Sequence, residues 1–340
     1  MRWTNLRSAK YPVFTNRMRY TIRTNNIKNG DDMAPTTRTT ALLALGAMAA
    51  VNIIWGAAFP ISKPAFDDIP PITFAFLRFI VALVIMVPFA AREMIQLLRG
   101  PERRQLWLMG AIGFCVTQIT QTEALALSPA THIALMAATS PLWVAMMAAW
   151  WLDEPFTLRM KIGTAIALVG IVIVLNPRDG LAGDWKPWLG YAIYLVSSFA
   201  WAAYNVMGRS VMQRQKALPV TATAALIGVL CLAPFAGIEY LSDMRTVLSP
   251  TAVVGVLYTA IMVTVVGYVT LFWALTKADS ARVSAMMYLQ PIAGVAVAWW
   301  WLSEQPGLGF FVGSALTFWG VWLVSTLGRS ALPTVISRTE

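Results

Sequence analysis

Charge is scarce in this sequence. Asp, Glu, Lys and Arg together make up 12% of its 340 residues, whereas a soluble globular domain carries about 25%. Histidine occurs once, at His132, and cysteine twice, at Cys115 and Cys231. A single histidine cannot anchor a multi-histidine metal centre. Two thiols placed inside apolar runs read as small packing residues, not as a disulfide. There is no glycine-rich phosphate loop, so ATP-driven work would need another chain. The equipment of an intramembrane enzyme is also missing: no nucleophile stands beside a base, and there are no paired carboxylates or metal-ligand spacings. Neither a cofactor nor a metal is expected, and the chain is not expected to be an enzyme.

What is present in abundance is apolar, with 58% hydrophobic residues and 15 tryptophans. Crossing the hydrocarbon takes about 20 mostly apolar residues per helix. The chain divides into ten such runs, near 41–62, 71–91, 105–126, 130–152, 160–176, 187–208, 218–238, 251–275, 281–302 and 307–327. The expected fold is therefore an all-α integral membrane protein of ten transmembrane helices. With the N-terminus placed inside, the basic residues of the tail and of the loops around Arg99, Arg103, Arg104, Arg159, Arg209, Arg214 and Lys277 gather on the cytoplasmic side. Only Lys63, Arg178, Lys186 and Arg245 fall opposite. This asymmetry predicts a multi-pass protein of the plasma membrane (the bacterial inner membrane) with both termini cytoplasmic, and it accounts for the net charge of +10 without a nucleic-acid partner. Residues 1–40 form a basic stretch without a sustained apolar run, read as a cytoplasmic tail or as sequence upstream of a true start at Met33.

The chain repeats itself. "SPLWVAMMAAWWLDE" at 140–154 returns as "QPIAGVAVAWWWLSE" at 290–304, with Pro141/Pro291, Trp150/Trp300, Trp151/Trp301 and Glu154/Glu304 in register at an offset of 150. Gly163/Gly313 and Gly170/Gly320 keep that offset, and upstream an offset of 146 aligns Trp55 with Trp201 and Lys63 with Arg209. Two copies of a five-helix unit follow, at 41–176 and 187–327, joined by an external linker at 177–186 and followed by a cytoplasmic tail at 328–340. Because five is odd, the second copy must thread the membrane in the opposite sense. Such inverted repeats are characteristic of secondary transporters.

"WGAAFPISKPAFDDIPPITFAFLRFIVA" (55–82) followed by "ALALSPATHIALMAATSPLWVAMMAAWWLDEP" (124–155) resembles the drug/metabolite transporter superfamily, specifically its EamA-type members. The resemblance spans both halves. It implies a carrier that exports or exchanges a small amphipathic metabolite, with an amino acid as the leading expectation and drugs or other metabolites as the alternative. "FAWAAYNVMGR" (199–209) is similar to a span of aromatic amino-acid exporters. A channel, a receptor or an intramembrane enzyme are the readings from other classes.

Polar and aromatic residues inside the spans nominate a binding cavity. Gln118, Gln121 and Thr122 form one stripe of the third span, Trp201, Tyr204 and Asn205 one of the sixth, and Asn52 with Trp55 one of the first. Trp143, Tyr268, Tyr288 and Gln290 complete the expected substrate-binding set. The alternative for each is interhelical hydrogen bonding. Pro141 and Pro291 each free a carbonyl four residues earlier, at Ala137 and Met287, which is tolerated only against protein or a wet cavity and suggests a hinge. Arg78, Glu123 and His132 are the chargeable residues within or at the edge of spans. They are read as a structural Arg78–Glu123 bridge or as proton-coupling groups. Small residues at Gly163, Ala167 and Gly170 and at Gly309, Gly313 and Gly320 predict close-packing faces, within the chain or across a homodimer.

Overall fold

In a bilayer, a backbone without access to water must satisfy its polar groups within the segment, which makes helix the default for long apolar stretches. The computed structural model describes residues 38–151, 156–175, 185–212, 214–244, 246–277 and 286–327, and they are helical with no strand among the described residues. Residues 1–37 of the N-terminal tail, the C-terminal tail, most of the linker and Glu154 lie outside the described residues, and residues 38–40, expected in the tail, open the first helix.

The helices are α1 (Arg38–Ser62), α2 (Pro71–Arg99), α3 (Arg103–Met109), α4 (Thr117–Leu127), α5 (Ala130–Ala137), α6 (Ser140–Trp151), α7 (Leu158–Leu175), α8 (Lys186–Met212), α9 (Ala217–Ser242), α10 (Pro250–Leu257), α11 (Gly267–Lys277), α12 (Leu289–Leu302) and α13 (Leu308–Leu327). Wide π-helical turns, Gly110–Val116 and Tyr258–Val266, join α3 to α4 and α10 to α11. Six stretches are long and apolar enough to cross a membrane: Leu42–Asp67, Pro71–Arg99, Ala130–Trp151, Leu158–Leu175, Ala217–Ser242 and Pro250–Leu271. The chain is thus a multi-pass membrane protein. The other four expected spans coincide with Arg103–Leu127, α8, α12 and α13, which are more polar or shorter. Large apolar side chains such as Val84 (69% exposed) and Trp300 (78%) cover the exterior, as a lipid-facing surface requires.

Helix α7 lies against α13, with small residues at the contact. A methyl group built on Gly170 would come within 2.5 Å of the Gly313 carbonyl oxygen, and one on Gly313 within 2.4 Å of the Gly170 oxygen. Gly163 and Gly320 stand in the same reciprocal relation, at 2.7 and 2.4 Å. The two predicted small-residue faces therefore meet each other inside one chain, and a homodimer would need another surface. Gly313→Ala is expected to force these backbones apart at a cost of about 1–3 kcal/mol. Gly237→Ala, which has nothing within 4 Å of the added methyl, should leave the melting temperature in detergent unchanged. Equal melting of the two variants would contradict the packing.

Remote carboxylates close two helix N-termini, whose first N–H groups have no partner within the helix. Glu239 accepts from the N–H groups of Ile72 (3.1 Å) and Thr73 (2.6 Å) at the start of α2. Glu304, just beyond α12, accepts from Ala130 (2.8 Å) and Thr131 (2.9 Å) at the start of α5. The Lys63 ammonium stands 3.6 Å from Glu304 and donates to the Ser128 carbonyl at 2.6 Å, while the Ser128 hydroxyl donates to Pro187 O. The ends of α1, α4 and α12 and the start of α8 are thereby tied at one end of the bundle. The far end of α2 is tied differently: Glu102 pairs with Arg214 (3.4 Å), Glu93 with Lys216 (3.9 Å), and Gln105 donates to Met207 O (2.6 Å).

Candidate functional site

One helical run is broken in mid-course, and a second helix begins on a tight turn just before its proline. The run from Ala130 to Trp151 stops at Ala138–Thr139 before Pro141, and Pro291 follows a 3-10 turn at Met286–Tyr288. The carbonyl freed by Pro141, that of Ala137, accepts from the Ser140 hydroxyl at 2.7 Å, and the Thr139 hydroxyl donates to Met136 O at 2.6 Å. The break and the turn both open onto a cavity of about 110 Å³ lined by Ala137, Ser140, Met287 and Gln290. A single water needs about 10–15 Å³ on the same measure, so there is room for several waters or a small solute. Pro141 faces Tyr288 across a smaller void beside it.

Seven of the twelve residues expected to bind substrate line this cavity: Trp55, Gln118, Gln121, Thr122, Trp201, Tyr268 and Gln290. Trp55, Trp201 and Tyr268 form an aromatic wall. The Tyr268 ring lies 5.9 Å from Trp55 and 6.3 Å from Trp201, and the Trp55 indole is fixed by donating to Val263 O at 3.0 Å. The wide turns set the facing polar groups. Thr117 and Thr264 each reach back five residues, to Ile112 O and Thr259 O, both at 2.9 Å. A π-turn shifts the register of whatever follows it, and Gln118 and Tyr268 come just after these two segments.

The other five expected contacts lie elsewhere. Asn52 is fully buried and donates to Met48 O. Trp143 donates to the Thr139 hydroxyl (3.0 Å) and packs on Phe199. Asn205 turns back to Trp201 O. Tyr204 stacks behind Trp201 in the core, against Phe114. Tyr288 lines the smaller void. In each case a neighbouring backbone or ring took the side chain that helical spacing alone had left open. The cavity also takes Arg78, Tyr194, Ser197 and Ser198. The two serines are spaced to share the face that carries Trp201, and Tyr194, seven residues before Trp201, falls on that same face.

The expected Arg78–Glu123 bridge is not formed. Lys63–Glu304, Glu102–Arg214 and Glu93–Lys216 are ion pairs among the described residues, and Arg78 instead faces the cavity with its guanidinium 4.5 Å from the Phe79 ring centre. His132 does not turn to Glu123 either. Its Nδ1 meets the Tyr191 hydroxyl at 2.5 Å and its ring stacks on Phe310.

A multi-pass helical bundle with a broken helix beside a small polar and aromatic cavity has the form of a membrane transporter. The chain belongs to the EamA-like transporter family, which it matches over residues 41–176 and 188–326. It is 24% identical over 282 residues to a probable amino-acid metabolite efflux pump of Escherichia coli K12, covering 80% of this chain and 91% of that protein. It is 26% identical over 288 residues to a probable terminal-alkyne amino-acid exporter of Streptantibioticus cattleyicolor, covering 84% and 95%. A solved crystal structure shares the fold with a TM-score of 0.60 at 18% identity, covering 86% of this chain and 99% of that one.

Proposed function

We propose that the protein is a secondary transporter that exports or exchanges a small amphipathic metabolite, an amino acid (aromatic ones included), by alternating access between two inverted five-helix halves. The observation that carries this is the cavity lining. Trp55/Trp201, Ala137/Met287 and Ser140/Gln290 are pairs of equivalent positions in the two repeats, and both members of each pair line the same cavity. A site straddling the axis between the halves is what alternating access uses.

Two further observations favour the inverted arrangement. Gly163 meets Gly320 and Gly170 meets Gly313, the crossed pairing that a two-fold axis generates between equivalent antiparallel helices. Lys63 closes α1 at the Ser128–Glu304 end, whereas Met207, near the equivalent end of α8, bonds Gln105 at the Glu102–Arg214 end. Those ends are separated by α2, whose 29 residues span about 43 Å. The amino-acid assignment rests on the relatives, probable amino-acid exporters, and on a cavity that combines amides with aromatic faces. The protein would sit in the plasma membrane with ten spans and both termini cytoplasmic.

Purified protein in liposomes loaded with unlabelled amino acid should take up labelled amino acid faster than empty liposomes do. Uptake that neither saturates nor accelerates with internal solute would remove the exchanger reading, and exchange only with drugs or other metabolites would replace the substrate class. For topology, single cysteines at Arg99 and Met244 in a chain lacking Cys115 and Cys231 should differ in labelling by an impermeant reagent in intact cells, with only Met244→Cys reacting. Glu123 has no ion pair among the described residues. If it carries the coupled proton, Glu123→Gln should abolish pH-driven accumulation while sparing exchange. An unchanged pH response in Glu123→Gln would leave the protein a facilitator.

A further inference from the structure

Arg78 is anomalous in its setting. It lies seven residues beyond Pro71, about 10 Å along α2 by helical rise. It lines the central cavity, its Nε is buried without a hydrogen-bond partner, and no carboxylate pairs with it among the described residues. An uncompensated cation at such depth is costly and persists where it serves a function. The architecture does not require it, because the equivalent position in the second half, at the offset of 146, is Ala224. The cavity offers no internal counter-ion either: its lining contains no Asp, Glu or Lys besides the arginine itself. Gln118 also lines this cavity, and its buried side-chain oxygen lacks a partner. The aromatic wall of Trp55, Tyr268 and Trp201 lies in the same cavity.

We propose that Arg78 is the anchor for a carboxylate on the transported solute, which is therefore an organic acid or amino acid carrying a free carboxylate and an aromatic or bulky apolar body. The guanidinium fork matches a carboxylate through two parallel N–H···O bonds, a match that a lysine cannot reproduce. The Gln118 oxygen is left to accept from an N–H or O–H on the solute, and the rings take its body. This rests on the transporter reading above but goes further, because it assigns which chemical group of the solute is indispensable and which residue reads it.

The test uses full-length protein in detergent, with melting temperature as the readout and three probes of equal ring and chain: phenylalanine, phenylpropionate and phenethylamine. The two carboxylates should stabilise the wild type and bind about tenfold or more tighter than phenethylamine, with chloride as the control for charge alone. Arg78→Gln should melt no lower than wild type without ligand, since it removes a half-buried charge that has no carboxylate partner among the described residues, and should lose the carboxylate response. Arg78→Lys should retain only part of it. The proposal is overturned if phenethylamine binds as well as the carboxylates, if neither carboxylate shifts the wild type, if Arg78→Gln keeps the carboxylate preference, or if that variant melts lower without ligand, the mark of a structural cation. Counterflow in liposomes keeps the two readings apart. Carboxylate binding without counterflow leaves the Arg78 site standing and removes exchange, whereas counterflow of phenethylamine alone removes the carboxylate anchor and leaves a carrier.

Discussion

Glu304→Ala is expected to open the bundle at the Lys63 end. The carboxylate accepts from two backbone N–H groups of α5 and stands 3.6 Å from Lys63. Its removal leaves three donors without that acceptor, in a place where both charged side chains are only partly exposed, at 28% and 18%. Unsatisfied groups of this kind cost about 1–3 kcal/mol when buried. Discounted for the remaining exposure, a penalty of about 2 kcal/mol falls on this conformation alone and shifts a two-state population about thirtyfold. Ser62 lines the cavity and is buried just inside the closure, which makes it the reporter. In a chain lacking the two native cysteines, Ser62→Cys should react slowly with an impermeant thiol reagent, and Glu304→Ala should raise that rate by more than tenfold. Lys63→Met should produce a smaller rise, because the two N–H bonds to Glu304 survive it. If Ser62→Cys reacts at the same rate with and without Glu304, the network is decoration and the closure lies elsewhere.

The second large effect contrasts two residues that the sequence placed together. Gln118→Leu should reduce transport by one to two orders of magnitude, because Gln118 lines the cavity with a side-chain oxygen that has no partner among the described residues, and a leucine leaves the solute's donor unmatched. Losing a hydrogen bond to a buried polar group typically costs about 1–3 kcal/mol. Tyr204→Phe should transport like wild type and melt at the same temperature or higher. Its hydroxyl is buried behind Trp201 without a partner, so deleting it removes a desolvated polar group and no solute contact. Measured side by side in liposomes at equal protein density, a loss in Tyr204→Phe with retention in Gln118→Leu would invert this account of the cavity.

Much of the fold was legible because a bilayer removes choices. Apolar stretches of sufficient length become helices, and a duplicated proline, tryptophan pair and glycine pair can be matched at a constant offset without any coordinates. The same patterning pointed to the break just before Pro141, since a missing N–H is a property of the residue itself. The aromatic and amide residues of the cavity were legible only as helix faces. Periodicity says that Trp201, Tyr204 and Asn205 share a stripe, but whether a stripe meets solute or protein depends on what packs on it.

The sequence by itself determined that this is a multi-pass helical membrane protein made of two similar halves, because composition and internal repetition are properties of the chain alone. Tertiary structure decided which face of each helix turns to the cavity. The register shifts at Gly110–Val116 and Tyr258–Val266 contribute to those rotations, and no local spacing encodes them. It also decided the charges. Arg78 and Glu123 were the natural pair by depth, yet Arg78 faces the cavity, and Glu304, a helix-end residue in the sequence, closes the N-terminus of a helix 174 positions away. Electrostatic partners are set by distance in space, and between helices that distance is fixed only when the bundle is assembled.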